Sequence, residues 1–249
     1  MTLLTNRDSI LEAIRQHPDK LGRLWTEAGH ERGLEKTIEA AKRAGVSWRV
    51  LSGDEFAKRF KGVRSHICLE KEEFEYASPE SLLGLLKGSA DPVFSALDGV
   101  FDPQNLGNII RSAACFSDSG LILPKDRACS VNDTALNIAR GGAEHVPIAR
   151  ITNLARFLSE LKKKNVFCYG LDERAEKPLW DVNLAGPICL VFGGEEGLRR
   201  LTKETCDELV QIPSNPAFPT LNVATSFAVT HYEVLRQRTH KVRNGQMVK

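Results

Sequence analysis

The chain has 249 residues, of which 42% are hydrophobic, and a formal net charge of +2. These values exclude a wholly disordered chain and a protein that coats polyanions over its whole surface. No apolar run approaches the roughly 20 residues of a membrane helix, and the N-terminus has no signal-peptide core. We therefore expect a cytoplasmic protein of one or two domains that makes no membrane contact.

The first 76 residues predict a small α/β domain. Hydrophobic periodicity predicts helices at 9–15, 34–44 and 53–60, and strands at 21–25, 48–51 and 67–69. A basic stretch begins in the last turn of the third helix and contains Lys58, Arg59, Lys61 and Arg64. This stretch predicts a contact with phosphates, although a solvated helix face is the commoner meaning of such a run.

Residues 77–92 are expected to link this domain to a second one. They contain a predicted short helix at 81–87 and end in Gly88-Ser-Ala-Asp-Pro92, a composition typical of linkers.

Strand and helix patterns alternate over residues 93–249. Strands are predicted at 93–97, 120–123, 146–151, 166–171, 188–192 and 209–212, and helices at 105–117, 133–140, 154–163, 201–207 and 222–238. This alternation predicts an α/β fold with a mostly parallel sheet covered by helices on both faces.

Three loops of this second domain carry candidate functional residues. The first motif is Asp102-Pro-Gln-Asn-Leu-Gly-Asn-Ile-Ile-Arg111, which follows a strand and begins a helix. It places Asn105 in the turn and Arg111 in the helix, two side chains that bind anions or orient polar groups. Taken alone, the first motif is more typical of a capped helix with an exposed arginine than of a binding site.

The second motif, 191–198, and the third motif, 212–223, are also loops that follow predicted strands. In parallel sheets, ligands bind beyond the carboxyl ends of the strands. Glycines of the second motif let the backbone approach a flat ligand, and Leu198, Ile212 and Leu221 can form apolar walls. Such a pocket suits an adenosine moiety.

Together and in this order, the three motifs resemble the N-x-G-x-x-x-R, G-x-E-x-x-G and I-P-x(7)-S-L-N-V motifs of the SpoU (TrmH-like) branch of the SPOUT RNA methyltransferases. The resemblance covers roughly residues 93–239. Residues 1–76 are more weakly similar to the small, ribosomal-protein-like RNA-binding domain that precedes the catalytic domain in many members. The resemblance implies a C-terminal trefoil knot, and a homodimer whose active sites form at the subunit interface.

The same resemblance implies a cofactor, S-adenosylmethionine (AdoMet), bound in the knot beside the end of strand 166–171, with no metal. The implied cofactor contacts are Leu171, Phe192, Gly193, Gly194, Gly197, Leu198, Ile212, Pro213 and Leu221. The implied reaction is methyl transfer to a ribose 2′-hydroxyl of RNA. Its implied catalytic residues are Arg111, Asn105, Glu195, Asn222 and Thr220, with Arg111 holding the RNA phosphate beside the target ribose.

The sequence departs from the family pattern at three places. The glycine loop is one residue shorter, so Glu195 or Glu196 matches the family carboxylate, and Glu195 is preferred. Pro216 stands where glycine is common, and Thr220 replaces serine but keeps a hydroxyl. None of these changes removes a group that the chemistry needs.

Among substrates, large-subunit (23S-type) rRNA, typically at a guanosine, is expected first and tRNA second. A non-catalytic RNA-binding protein on the same fold is the alternative from another class. A Rossmann dehydrogenase is disfavoured because the first strand is not followed by G-x-G-x-x-G.

Cysteine and histidine usage also bears on the expected site. The six cysteines form no C-x-x-C pair, which favours free thiols in a reducing compartment. The histidines form no zinc-type cluster in the sequence, in agreement with the expectation of no metal.

Overall fold

The fold comes from a computed structural model that describes residues 1–88, 90–218 and 220–244, with side chains through residue 239. Within these residues the strands are β1 Thr2–Leu4, β2 Leu21–Glu27, β3 Trp48–Leu51, β4 Ile67–Lys71, β5 Val93–Asp98, β6 Gly120–Pro124, β7 Ile148–Ile151, β8 Phe167–Leu171, β9 Lys177–Pro178, β10 Ile188–Gly193 and β11 Glu208–Gln211. The α-helices are α1 Arg7–Gln16, α2 Glu35–Arg43, α3 Gly53–Arg59, α4 Pro79–Leu85, α5 Pro103–Cys115, α6 Asp133–Ile138, α7 Leu154–Lys162, α8 Arg200–Thr205 and α9 Val223–Asn244.

The N-terminal sheet has the order β1-β4-β2-β3. Strands β2 and β3 are parallel, whereas β4 runs antiparallel to both of its neighbours. Strand β1 was not predicted, because three residues are too few to show an alternating pattern. It exists because its backbone pairs with β4, with Thr2 opposite Lys71.

The C-terminal sheet has the order β7-β6-β5-β10-β8-β11-β9, and every pair in it is parallel. All six predicted strands are present, with ends shifted by one or two residues. The two-residue strand β9 was not predicted. Because the strands are parallel, the carboxyl ends of β5, β10 and β8 lie side by side at one edge of the sheet.

Both faces of this sheet are covered by helices, as predicted. Alternate residues of β10 point to opposite faces: Ile188, Leu190 and Phe192 belong to one buried cluster, and Cys189 and Val191 to another. The first cluster also contains residues of α5, α6 and α9, and the second contains residues of α4 and α7. The central strand is therefore apolar throughout because it is buried on both sides.

The first cluster also continues into the N-terminal unit. Ile10 and Ile14 of α1 are buried in the same cluster as Leu136 of α6. The Asn137 side chain accepts hydrogen bonds from the backbone N–H groups of Thr5 at 2.6 Å and Asn6 at 2.9 Å. The two units therefore share one apolar core and a set of polar contacts.

Helix α4 lies in the segment expected to link the two units. It begins after Ser78, which caps it, and its Leu82 is fully buried against the C-terminal sheet. Ala77 forms an isolated parallel bridge with Ala149 of β7. Helix α4 therefore belongs structurally to the C-terminal unit, while the domain division at residues 77–92 stays a prediction.

In the described part of the chain, no helix combines the length and apolar character needed to cross a bilayer.

Candidate active site

A cavity of about 670 Å³ lies at the carboxyl ends of β8 and β10. Eleven residues expected from the sequence line it: Asn105, Leu171, Phe192, Gly193, Gly194, Glu195, Gly197, Ile212, Thr220, Leu221 and Asn222. They come from all three motifs and from the end of β8. Parallel strand order thus brings together segments that lie more than 100 residues apart in the chain.

The second motif forms a tight turn at the floor of this cavity. The Gly197 N–H donates to the Gly194 carbonyl at 2.9 Å, which leaves Glu195 and Glu196 as the two central residues. The Gly194 N–H in turn donates to the Asp98 carbonyl at 2.9 Å. This turn explains how a loop one residue shorter than the family pattern closes, and both glutamates are among the residues that line the cavity.

No side chain fits at the two glycines that begin the turn. A Cβ on Gly194 would lie 1.9 Å from the Gly99 carbonyl oxygen, and one on Gly193 would lie 2.4 Å from the Gly197 carbonyl carbon. Both obstacles are backbone atoms, which cannot move aside as a flexible side chain can. The turn is therefore packed directly against the residues that follow β5, and both glycines also line the cavity.

Asp98 binds Arg199, which follows the turn, and so holds the end of the turn in place. The sequence analysis did not single out Asp98. Its carboxylate is fully buried and accepts hydrogen bonds from the Arg199 backbone N–H at 2.9 Å and from the Arg199 Nε at 2.5 Å. A buried carboxylate without such partners would be strongly destabilising. The signal available in the sequence was an acidic residue that ends an otherwise apolar strand.

The first and third motifs meet through a side-chain hydrogen bond. Asn222 Nδ2 donates to Asn105 Oδ1 at 2.9 Å. The Asn222 Oδ1 accepts from the backbone N–H groups of Ala224 at 2.9 Å and Thr225 at 3.3 Å, so it also caps the first turn of α9. One side chain thus fixes the start of α9 relative to the start of α5.

The far wall of the cavity carries charges that the sequence reasoning missed. Asp172, just after β8, forms an ion pair with Lys203 of α8. Burial acts to raise the pKa of Asp172, but hydrogen bonds from Lys203 and from the Arg174 backbone outweigh it and lower the pKa. Asp172 is therefore ionised at neutral pH and holds Lys203 at the cavity wall.

Three expected residues do not line the cavity. Leu198 is buried in the apolar cluster beneath it, and Pro213 lies in the loop after β11. Arg111 is exposed on α5, six positions beyond Asn105, which corresponds to about 9 Å along the helix axis. Within a single chain, Arg111 is therefore exposed to solvent and lies outside the cavity that Asn105 lines.

The basic stretch of the N-terminal unit divides into two groups. The Arg59 guanidinium pairs with Glu70 at 2.9 Å and lies 4.2 Å from the centroid of the Trp25 ring, so protein contacts already engage it. Lys58, Lys61 and Arg64 are exposed. These three are the members of the stretch that remain available to phosphates.

Glu27, His30 and His66 form the one group within the described residues that brings three possible metal ligands together. The two imidazole rings are stacked in parallel, with centroids 3.5 Å apart. Imidazole lone pairs lie in the ring planes, so two parallel rings cannot direct them at one ion. This geometry does not fit a metal site, and the His66 Nδ1 instead contacts the Glu27 carboxylate at 2.6 Å.

Known proteins resemble this chain over nearly its whole length. A 23S rRNA (guanosine-2'-O-)-methyltransferase RlmB from Xanthomonas axonopodis is 36% identical over 239 residues, which cover 93% of this chain and 94% of that protein. The RlmB of Coxiella burnetii is 38% identical over 224 residues, with 89% and 90% covered.

Solved structures show the same fold. The SpoU methyltransferase AviRb from Streptomyces viridochromogenes superposes with a TM-score of 0.79 at 21% identity, covering 96% of this chain and 90% of that one. This likeness confirms the predicted fold class, and the trefoil knot stays a prediction. The profile of the SpoU rRNA Methylase family matches residues 92–232, which span all three motifs. The chain therefore belongs to the SpoU rRNA Methylase family, as its three motifs predicted.

Proposed function

We propose that this protein transfers a methyl group from AdoMet to the ribose 2′-hydroxyl of a guanosine in large-subunit (23S) rRNA. The observation that carries the proposal is the convergence of all three motifs on one cavity, joined by the hydrogen bond between Asn222 and Asn105. Relatives that match the chain almost from end to end are named for this reaction on 23S rRNA, which favours rRNA over tRNA.

The cavity fits AdoMet in size and in lining. A volume of about 670 Å³ lies within the range of pockets for drug-sized ligands. Leu171, Phe192 and Ile212 offer apolar contact to an adenine ring, and Gly193 and Gly194 line the same cavity without a side chain that would keep the ring from the backbone. When bound, AdoMet supplies an electrophilic methyl group on its sulfonium.

The protein's part in the reaction is to position the ribose and to stabilise charge. Asn105 and Asn222 hold the first and third motifs in fixed relation, which keeps the cavity in one geometry. We assign to Arg111 the phosphate beside the target ribose, where its guanidinium would stabilise the negative charge that develops on the 2′-oxygen as the hydroxyl gives its proton to water. The oxygen would then bond to the methyl carbon as the S–CH3 bond breaks and the demethylated cofactor leaves. We assign to the Thr220 hydroxyl and the Glu195 carboxylate the ordering of the substrate at the cavity mouth.

A homodimer is part of the proposal, because Arg111 lies outside the cavity of its own chain. Helix α9 exposes Val229, Tyr232 and Leu235 with 42%, 62% and 51% of their surfaces accessible. These residues recur every three positions along one side of the helix, and they form an apolar strip suited to a second copy of the chain. Pairing through α9 would place α5 of one protomer beside its partner, since α5 packs on α9.

The N-terminal unit, residues 1–76, is proposed to bind RNA outside the reaction centre. Lys58, Lys61 and Arg64 are exposed and provide positive charge, while Arg59 serves chiefly to hold Trp25 and Glu70. An rRNA substrate implies the cytoplasm, and the six cysteines, all free of disulfides, suit its reducing conditions.

Methyl transfer can be tested with purified protein, methyl-labelled AdoMet and a 23S rRNA transcript. Nuclease digestion followed by mass spectrometry should locate the label on the ribose of one guanosine. A tRNA preparation serves as the comparison substrate. Label on a base, or preferential labelling of tRNA, would contradict the proposal.

A further inference from the structure

The loop between β11 and α9 contains a hydrogen-bonded turn at residues 215–218. The Phe218 N–H donates to the Asn215 carbonyl at 2.9 Å, and the Asn215 side chain accepts from the Ala217 N–H at 3.0 Å. Pro216 occupies the second position of this β-turn, where its fixed φ angle suits the geometry. The backbone that carries Phe218 is therefore constrained both by hydrogen bonds and by proline.

This turn presents an aromatic ring at the mouth of the cavity. Phe218 is 75% exposed, yet it is one of the residues that line the cavity. The deeper apolar wall is formed by Leu171, Phe192 and Ile212, which are more buried than Phe218. Phe218 thus lies at the mouth of the cavity, where most of its ring would stay accessible to another ligand after a cofactor had bound.

On the basis of the proposed function, we infer that Phe218 is the platform on which a nucleobase of the RNA substrate stacks as its ribose enters the site. Single-stranded RNA is commonly recognised by stacking of bases on aromatic side chains, which tolerates any base because each has a π face. A phenylalanine offers this face with no competing hydrogen-bonding group. Its neighbour in the cavity lining, Thr220, supplies a hydroxyl for the polar part of the nucleotide.

The turn also gives Pro216 a role. A stacking platform binds most strongly when its backbone is ordered before the ligand arrives, because less conformational entropy is lost on binding. Proline at position 216 restricts the loop in this way. Pro216→Gly should therefore weaken RNA binding in the same direction as loss of the ring, but by less.

The kinetic test compares Phe218→Ala, Phe218→Trp and a control, Trp180→Ala, with the unaltered protein on a 23S rRNA transcript. Trp180 is also an exposed aromatic residue, at 57%, but it does not line the cavity. Phe218→Ala should raise the KM for RNA about tenfold, whereas Phe218→Trp and Trp180→Ala should leave it nearly unchanged. AdoMet affinity, measured by calorimetry, should stay the same in all three variants.

Binding provides a readout that does not depend on turnover. Addition of the transcript to Phe218→Trp should quench tryptophan fluorescence beyond the change seen in the unaltered protein, because the new indole would stack on a base. Equal KM values for Phe218→Ala and the unaltered protein, or absence of the extra quenching, would overturn the stacking role. A parallel loss of AdoMet affinity, or a change of oligomeric state, would overturn it by assigning the ring to the cofactor or to the subunit interface.

The two proposals fail differently. If the unaltered protein transfers no methyl group to the transcript but Phe218→Trp is quenched by it, the proposed reaction is wrong and the stacking platform stands. If methyl transfer is normal and Phe218→Ala has no effect, the reaction stands and the platform is wrong.

Discussion

Asn222 and Asn105 lie 117 residues apart in sequence, and their side-chain amides are joined at 2.9 Å. The bond connects the loop before α9 to the first turns of α5. We expect Asn222→Ala to remove both this bond and the cap of α9, and to lower the free energy of unfolding by about 1 kcal/mol. Turnover should fall further than stability does, because the cavity loses its fixed geometry.

Asn105→Ala tests the same contact from the other side. In a double-mutant cycle the two substitutions should be non-additive, since either one already breaks the bond. Asn108→Ala is the matched control, because Asn108 is an exposed residue of the same helix that does not line the cavity. Additive effects of the two substitutions in kcat and in urea unfolding would argue against the coupling.

Arg111 should matter for turnover and not for cofactor binding. Arg111→Ala is expected to lower kcat by about 100-fold, because a charge that stabilises the forming alkoxide is lost. AdoMet affinity should be retained, since Arg111 does not line the cavity. Arg156→Ala, which removes an exposed arginine of α7, provides the control. Single-turnover kinetics measure methyl transfer, and calorimetry measures AdoMet binding separately. Near-normal kcat in Arg111→Ala would disprove the assignment.

The glycine turn should not tolerate a side chain. Gly194→Ala would place a Cβ 1.9 Å from the Gly99 carbonyl oxygen, and we expect AdoMet binding to be abolished or the fold to be destabilised. Gly84→Ala, in α4, meets no atom within 4 Å and should be neutral or stabilising by up to about 1 kcal/mol through helix propensity. Calorimetric AdoMet binding and melting temperature distinguish the two variants. Normal AdoMet affinity in Gly194→Ala would show that this turn is not part of the AdoMet site.

The apolar strip on α9 predicts the oligomeric state. Tyr232→Asp places a charge within the strip of Val229, Tyr232 and Leu235 and should convert a dimer into a monomer. Leu201→Asp alters an equally exposed apolar residue, 59% accessible, on α8 at the opposite face and should leave the dimer intact. Light scattering at micromolar concentration measures both. A monomeric unaltered protein, or a dimeric Tyr232→Asp variant, would exclude this interface.

The burial of the thiols predicts the order in which the cysteines are alkylated and the way in which protein stability changes with pH. Burial raises the pKa of Cys206 and of Cys68 to about 12 from an ordinary value of 9.0. Alkylation at about pH 8 requires the thiolate, so exposed Cys115 should react well before either of them. Peptide mass spectrometry after iodoacetamide treatment checks this order, and rapid labelling of Cys206 would contradict it.

The same shifts affect stability at alkaline pH. A raised folded-state pKa means that the unfolded chain loses its thiol protons first, at about pH 9, while the folded protein keeps them. The contribution of these thiols to the free energy of unfolding is therefore complete below about pH 9 and is lost as the pH rises toward 12. Urea unfolding of Cys206→Ser should show a smaller decline over this interval than the unaltered protein.

Much of the fold could be predicted from local sequence pattern. Helix α5 begins at Pro103 after a capping aspartate, and β10 alternates between two cores, so both leave a signal in a short window. The three motifs, each a turn beside a strand end, contain ten of the expected residues that line the cavity, and the family resemblance that they carry added the eleventh, Leu171 at the end of β8. Turn chemistry and apolar periodicity depend on neighbouring residues, and for that reason the sequence by itself determined these features.

Other features arise only from contacts between distant segments. Strand β1 is held by pairing with β4, and Asp98 is stable in the interior because Arg199, 101 positions away, donates to it. The Asp172–Lys203 pair and the placement of Phe218 at the cavity mouth likewise require the strand order β5-β10-β8-β11. Hydrogen bonding and burial act between atoms that are close in space, whatever their separation along the chain. Only the tertiary structure could therefore decide which charged and aromatic side chains complete the site.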